Sequence, residues 1–260
     1  MKKILLVEGN LKEANQEFTE NGIKTHTESL QESISYYTNN LEIDSVNPSS
    51  DKDIFDKVKD LNKYEGLIWG GSSLNIYSDT KEIRRQIEFM KECQKRIKNI
   101  LAICWGMQVA VTAAGGVVNR GKNGAHRGIA HEIVINSDGL NHPIYKDKDK
   151  IFNTPAFNYD EVVTLPKDAI LLSSNKVNNV MALNFETEFS KIWGIQYHPE
   201  ITYEKMITLI KFRRERLLEN KSFSDEKDLE SHITMIKNED KITKKESRMR
   251  ELKNWLDLIA

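Results

Sequence analysis

One cysteine lies at a junction that favours nucleophilic chemistry. Cys104 follows the apolar run 101–103 and precedes a helix-forming segment, with the small residues Ala102 and Gly106 two positions to either side. A sharp strand-to-helix turn needs small neighbours, because larger side chains would collide when the nucleophile is pushed out of the turn. The helix N-terminus would favour the thiolate and offer backbone N–H groups to an oxyanion. The pattern predicts a cysteine nucleophile, although a buried structural cysteine at a strand end has the same local sequence.

A base and a carboxylate to orient it come at the end of a second apolar segment. Residues 192–200 read Ile-Trp-Gly-Ile-Gln-Tyr-His-Pro-Glu, so Pro199 separates His198 from Glu200. Proline biases the preceding residue toward extended backbone, and residues two apart on an extended chain point to the same side. Glu200 can therefore hold one ring nitrogen of His198 while the other faces a thiol. His-Pro-Glu alone also fits a surface turn, but together with Cys104 it predicts a catalytic triad.

The composition argues against several other functions. The 260 residues carry a formal net charge of −1, with 39% hydrophobic and 30% charged residues, so neither nucleic acid nor a membrane is expected as a partner. The N-terminal apolar run ends at Glu8, too early for a signal peptide, and no stretch approaches the ~20 apolar residues of a membrane span. Cys93 and Cys104 are too few for a disulfide framework and lack metal-ligand spacing. We expect a cytoplasmic protein without a bound metal or cofactor.

The elements that must position these residues alternate along the chain. Four short aliphatic runs are typical of buried parallel strands: residues 3–7, 41–46, 66–69 and 99–103. Residues 79–96 and 106–114 have the apolar spacing of helices. This alternation predicts an α/β fold, a mostly parallel sheet flanked by helices. Parallel strands gather their carboxyl ends at one edge, where open α/β sheets place their sites.

The pattern changes twice further along the chain. Residues 117–197 are rich in strand patterns, with turns predicted at 136–139 and 165–168. After the predicted triad, apolar residues recur at helical spacing among many Lys, Glu and Asp, which we interpret as solvated faces of helices. We therefore expect a catalytic domain of residues 1–200 and a C-terminal helical extension, residues 201–260, packed on it.

These motifs resemble those of class I, triad-type glutamine amidotransferases, in particular their free-standing GMP synthase-like members. Cys-Trp-Gly-Met-Gln at residues 104–108 and Trp-Gly-Ile-Gln-Tyr-His-Pro-Glu at residues 193–200 carry the resemblance, which covers essentially the whole chain. It implies a flavodoxin-like fold and cleavage of the glutamine side-chain amide or a related γ-glutamyl amide. Cys104 would attack the γ-carboxamide to give a γ-glutamyl thioester, His198 would move the proton, and water would release glutamate.

The resemblance also implies roles for residues around the triad. Gly71, in the Gly-Gly-Ser loop, matches the glycine whose backbone N–H serves the oxyanion hole, and the N–H of Trp105 is its natural partner. Gln108 matches a glutamine that contacts the substrate, and we expect Asn158 and Tyr159 on the substrate side as well. The Gly-Gly pair could also be a plain turn. A phosphate loop is disfavoured because no lysine follows at the required spacing.

The chain departs from the family pattern in two segments on the substrate side. Asn158 stands where many relatives have a histidine, and Gly-Ala-His-Arg-Gly at residues 124–128 stands where they often have Gly-Arg-Glu-x-Gly. Both changes leave the acyl substrate and the leaving group open. His126, His131 and His142 match no catalytic position, and we expect them at the surface.

Three functions remain open on the sequence. The first is hydrolysis of glutamine with ammonia passed to a synthetase partner, because no ATP-binding motif is visible in this chain. The second is a stand-alone γ-glutamyl hydrolase acting on a γ-glutamyl amine or conjugate, which the two altered segments favour. The third is a non-catalytic binding protein on the same fold, against which the intact triad argues.

Overall fold

A computed structural model describes residues 2–259, with residues 57 and 58 described by their backbone alone. The strands are β1 (Lys2–Val7), β2 (Leu41–Val46), β3 (Gly66–Trp69), β4 (Asn99–Ile103), β5 (Val117–Arg120), β6 (His126–Arg127), β7 (Ala130–Ile135), β8 (Ile151–Thr154), β9 (Phe157–Asn158), β10 (Asp160–Thr164), β11 (Ile170–Ser174), β12 (Ala182–Glu186) and β13 (Lys191–Ile195). The α-helices are α1 (Lys12–Glu20), α2 (His26–Tyr37), α3 (Ile54–Lys57), α4 (Lys81–Cys93), α5 (Trp105–Ala113), α6 (Ser137–Asn141), α7 (Tyr203–Phe212), α8 (Arg214–Glu219), α9 (Glu226–Ile242), α10 (Lys245–Arg248) and α11 (Arg250–Ile259).

A nine-stranded sheet organises the described residues, in the order β2-β1-β3-β4-β13-β12-β11-β7-β8. The strands from β2 to β13 are parallel neighbours, and the remaining four continue in antiparallel pairing. In the parallel part Leu6 lies opposite Ile68, which lies opposite Leu101. The α/β fold with a largely parallel sheet flanked by helices is confirmed.

Helices cover both faces of the sheet, which explains why its central strands are aliphatic throughout. Alternate side chains of β1 point to opposite faces, so Leu5 and Leu6 belong to different core clusters. One face is covered by α4 and α5, and the other by α2 and the C-terminal helix α11. Full burial of a single large aliphatic side chain stabilises the fold by about 1.5–3 kcal/mol. The sheet is therefore buried between two apolar clusters, one on each face.

Two predicted element boundaries differ from the structure for local reasons. The helix expected over residues 79–96 begins after Thr80, whose side chain caps it, because Asp79 adopts a left-handed conformation with φ 49°. The turn expected at Asn-Ser-Asp-Gly is wrong. Asn136 Oδ1 accepts a hydrogen bond from Gly139 N at 2.8 Å and thereby caps the short helix α6.

The C-terminal helices pack in two separate places. Tyr203 of α7 and Leu229 of α9 share an apolar cluster with Ile129, beside the sheet. Trp255 of α11 instead lies in the core under the parallel strands. The division of the chain at residue 200 stays a prediction. Within residues 2–259, no helix combines the length and apolar character that crossing a membrane requires.

Candidate active site

The loops that follow four parallel strands are joined by backbone hydrogen bonds at one edge of the sheet. Gly70 N donates to Val7 O at 3.0 Å, and Gly106 N donates to Gly70 O at 3.1 Å. Cys104 N donates to Ile195 O at 2.7 Å. These bonds link the ends of β1, β3, β4 and β13, so the predicted nucleophile and the predicted base arise from neighbouring strand ends.

The turn at Cys104 has the strained geometry that a nucleophile elbow requires. Its φ of 53° is unusual for a residue with a side chain and costs about 1–3 kcal/mol, which the surrounding packing must offset. Gly106 permits the turn, because an added Cβ would collide with the carbonyl oxygen of Trp69. Trp105 is the first residue of α5, where backbone N–H groups have no acceptor within the helix. Its indole Nε1 donates to Gln86 Oε1 at 2.7 Å, which fixes the start of the helix.

The structure brings the three predicted triad residues together. His198 Nδ1 lies 2.7 Å from Glu200 Oε1, and both side chains are buried. Burial acts to lower the pKa of His198, but the charges of Glu200 and Cys104 and hydrogen bonds to both raise it well above its usual range. Burial acts to raise the pKa of Glu200, and the charge of His198 outweighs it, so that this pKa falls well below its usual range. The geometry favours a protonated imidazole held by a buried carboxylate.

A second buried imidazole, which the sequence analysis missed, lies beside this pair. The His26 ring, at the start of α2, stacks on His198 with centroids 5.4 Å apart and an interplanar angle of 24°. Its Nδ1 is 3.9 Å from Glu200 Oε1, and neither this nitrogen nor Glu200 Oε2 has a hydrogen-bond partner among the described residues. Gly71 packs against both rings, since an added Cβ would lie 2.6 Å from His26 Cε1 and 2.8 Å from His198 Cε1.

His26, His198 and Glu200 are also the donor set that could hold a metal ion. Their ligand atoms all lie within 4.8 Å of one another. His198 Nδ1 and Glu200 Oε1 are at hydrogen-bond distance, so the hydrogen bond between them explains their close approach without a metal ion. That the chain works without a metal or cofactor stays a prediction.

Two glutamines link the thiol to the helix that follows it. Gln196 Nε2 donates to Cys104 Sγ at 3.4 Å, and Gln108 Nε2 donates to Gln196 Oε1 at 3.4 Å. All three side chains are buried. Gln196 was not predicted as a site residue, although it lies in the same motif as His198. These contacts place the sulfur in a buried network of side-chain hydrogen bonds.

A pocket opens beside Cys104 and contains most of the predicted site residues. Trp105, Gln108, Asn158 and Tyr159 line it together with Cys104. The pocket has further lining residues that the sequence motifs do not predict, among them Ser72, Ser73, Asp160, Arg213 and Arg216. The roles of Gly71 and Trp105 in an oxyanion hole, and of Gln108, Asn158 and Tyr159 in substrate binding, stay predictions.

The expectation that His126 lies at the surface is wrong. The side chain is buried, and its Nδ1 is 2.8 Å from Asn158 Oδ1 while its Nε2 is 3.0 Å from Asn175 Nδ2. The pairing of β6 with β9 brings His126 opposite Asn158. His131 is exposed as expected, whereas His142 is half-buried against the sheet. Asn158 therefore lines the pocket with a side chain already engaged in a buried hydrogen-bond network.

Comparison with known proteins identifies the class to which this fold and site belong. Residues 22–214 match the family described as glutamine amidotransferase class-I. A γ-glutamyl-L-1-hydroxyisopropylamide hydrolase from a Pseudomonas species is 29% identical over 219 residues, 77% of this chain and 74% of that protein. γ-Glutamyl peptidase 4 from Arabidopsis thaliana is 29% identical over 187 residues, 71% of each chain. The chain belongs to the class I glutamine amidotransferase family, and it is an enzyme of the C–N hydrolase type.

The solved structures agree on the fold. The crystal structure of a glutamine amidotransferase from Thermotoga maritima superposes with a TM-score of 0.67 at 17% identity, covering 99% of this chain and 97% of that one. At this identity the likeness concerns the architecture alone. The substrate must be argued from the residues of the site.

Proposed function

We propose that the chain hydrolyses γ-glutamyl amides with Cys104 as nucleophile, His198 as general acid and base, and Glu200 as the carboxylate that orients the imidazole. The observation that carries this proposal is the buried hydrogen bond between His198 and Glu200. It lies beside Cys104, which has a strained backbone and lines the pocket. The relatives from Pseudomonas and Arabidopsis are a γ-glutamyl amide hydrolase and a γ-glutamyl peptidase, which supports the γ-glutamyl amide bond as the target.

The reaction has two steps. The Cys104 thiolate attacks the γ-carbonyl carbon, and the oxyanion accepts hydrogen bonds from the backbone N–H groups of Trp105 and Gly71. His198 gives its proton to the leaving nitrogen, the C–N bond breaks, and a γ-glutamyl thioester remains on the sulfur. A water that loses its proton to His198 then attacks the thioester, the C–S bond breaks, and glutamate leaves while Cys104 is restored.

A second candidate is a glutaminase that passes ammonia to a synthetase partner. The match to an amidotransferase family favours it, because amidotransferases deliver the released nitrogen to an acceptor. In that case glutamine is the substrate, Gln108 and Tyr159 contact it, and turnover rises when the partner binds. A cytoplasmic location is part of this proposal.

Glutamate release by the purified protein tests the proposed function. Glutamine and γ-glutamyl amides of small amines serve as substrates, with Cys104→Ala as the inactive variant and Cys93→Ala as the matched control. We expect release that depends on Cys104 and not on Cys93, and faster with γ-glutamyl amides than with glutamine. Glutamine turnover only in the presence of a partner would favour the second candidate. Release that persists in Cys104→Ala would refute the assignment of the nucleophile.

A further inference from the structure

One wall of the pocket beside Cys104 carries two guanidinium groups that form no ion pair within 4.0 Å among the described residues. Arg213, between α7 and α8, and Arg216, in α8, both line the pocket. Arg214, which lies between them in the sequence, pairs with Glu226 and Glu230. Within residues 2–259, neither Arg213 nor Arg216 has a carboxylate oxygen within 4.0 Å of a guanidinium nitrogen. Arg214 does not line the pocket and is paired with two carboxylates, whereas the two arginines that line the pocket have no such pair among the described residues.

Arg213 is held firmly in the wall, close to the predicted oxyanion loop. Its Nη2 donates to Ser73 Oγ at 2.9 Å, two residues after Gly71, and its guanidinium lies 4.8 Å from the ring centroid of Phe157. Burial and the nearby charge of Arg216 lower the pKa of Arg213, but an arginine keeps its proton in a protein. Two neighbouring cations repel each other, so an anion that binds between them is favoured. Arg216 is exposed and therefore lies nearer the mouth of the pocket.

Another part of the pocket lining carries a carboxylate. Asp160 accepts a hydrogen bond from Tyr77 OH at 3.0 Å and is buried against solvent. A γ-glutamyl group carries one ammonium and one carboxylate at its α-carbon. Asp160 and one guanidinium complement these two charges, which leaves the second guanidinium for a further anion.

From one carboxylate and two guanidinium groups in the pocket lining, we infer that the leaving group carries a carboxylate. The substrates would then be γ-glutamyl amino acids or peptides. Arg213, packed into the wall, binds the α-carboxylate, and Arg216, at the mouth, binds the carboxylate of the leaving group. This inference rests on the proposed function and narrows it, because glutamine and neutral γ-glutamyl amines leave Arg216 without a ligand. A guanidinium–carboxylate pair is among the stronger polar contacts, and arginine suits it by geometry.

A matched pair of substrates tests the inference. γ-Glutamylglycine and γ-glutamylglycinamide differ only in the carboxylate, so the ratio of their kcat/KM values isolates its contribution. We expect the wild-type enzyme to favour the acid by about three- to fivefold, the effect of one ion pair at an exposed side chain. Arg216→Gln should bring the ratio close to one, Arg216→Lys should keep part of it, and the control Arg214→Gln should keep all of it. Arg213→Gln should raise KM for both substrates alike.

The outcomes separate this inference from the proposed function. A ratio near one in the wild-type enzyme, or a preference that survives in Arg216→Gln, overturns the role of Arg216 while γ-glutamyl hydrolysis stands. No turnover of either substrate or of glutamine that depends on Cys104 overturns the proposed function and the inference with it. Thermal denaturation of each variant identifies any loss that comes from unfolding.

Discussion

The two cysteines of the chain are both buried, but their surroundings have opposite effects on the reactivity of a thiol. Cys93, at the end of α4, is surrounded by the apolar core, and burial raises its pKa well above the usual range. Cys104 lies at a strained turn on the sheet edge, within reach of Gln196 and His198 and open to a pocket. Burial alone keeps a thiol protonated and inert. Burial beside an imidazole held by a carboxylate favours the thiolate.

The largest expected effect comes from removing the base that distinguishes the two regions. In His198→Ala, Cys104 loses its cationic neighbour and should become nearly as unreactive as Cys93. We expect kcat/KM to fall by at least about 10⁴-fold, since members of a triad act as a unit. Steady-state assays of glutamate release measure it, with the exposed His131→Ala as the control. A loss of less than about tenfold would contradict the role of His198.

The next effect concerns the carboxylate that raises the pKa of His198. Glu200→Gln removes the negative charge that stabilises the imidazolium, and with it the thiolate. We expect turnover to fall by about 10³-fold or more. The acid limb of the pH profile of the Cys104 alkylation rate should move to higher pH by about one unit or more. The reason is that a weaker imidazolium stabilises a neighbouring thiolate less.

Alkylation rates measured from pH 4 to 9 by mass spectrometry give this profile. Glu204→Gln, an exposed position on α7, is the matched control and should leave the limb in place. A limb that moves to lower pH in Glu200→Gln would contradict the sign of the interaction.

A smaller effect is expected from the second imidazole. His26 stacks on His198 and approaches Glu200, so His26→Asn should loosen the orientation of the base without touching the substrate pocket. We expect kcat to fall by about tenfold with KM unchanged, because a small misplacement of a catalytic group is costly. His142→Asn, which can retain the local cap, is the control. A change in KM alone would indicate that His26 contacts the substrate instead.

The smallest effect on activity should come from the C-terminal helices, which support the region of His198 but not that of Cys93. Arg248, buried at the end of α10, donates to the carbonyl oxygens of Pro199 and Ile201 on either side of Glu200. Arg248→Met leaves both acceptors unsatisfied, so we expect the free energy of unfolding to fall by about 2–3 kcal/mol and turnover to fall a few-fold.

Urea denaturation, compared at equal m-values, measures the stability of this variant. Lys253→Met, which breaks an exposed pair with Asp257, should change it by less than about 1 kcal/mol. Equal losses in the two variants would contradict a special role for Arg248.

The parts of the fold and site that could be predicted are those that local sequence determines. Strands at 66–69 and 99–103 have the predicted bounds, because aliphatic runs buried on both faces give a strong strand pattern in the sequence. The edge strand at 41–46 also has the predicted bounds, although none of its residues is fully buried. The turn at Cys104 and the pairing of His198 with Glu200 follow from small neighbours and from extended backbone. Each of these features needs fewer than ten residues of context.

The rest depends on contacts between distant segments. His26 reaches Glu200 only because α2 packs over the sheet edge, and Arg213 reaches the pocket only because α7 returns beside Ser73. The burial of His126 depends on a two-residue strand pair that no periodicity marks. Charged residues after the triad are typical of solvated helix faces, and sequence alone does not distinguish Arg213 and Arg216 from Arg214.

The most direct test of the central claim is covalent labelling by a glutamine-analogue diazoketone at neutral pH. Peptide mass spectrometry then locates the adduct in the folded wild-type protein, in His198→Ala and in Cys93→Ala. The account predicts one adduct, on Cys104, that forms in Cys93→Ala and is lost in His198→Ala. An unlabelled Cys104 in folded wild-type protein, or labelling of Cys93 at a comparable rate, would contradict it.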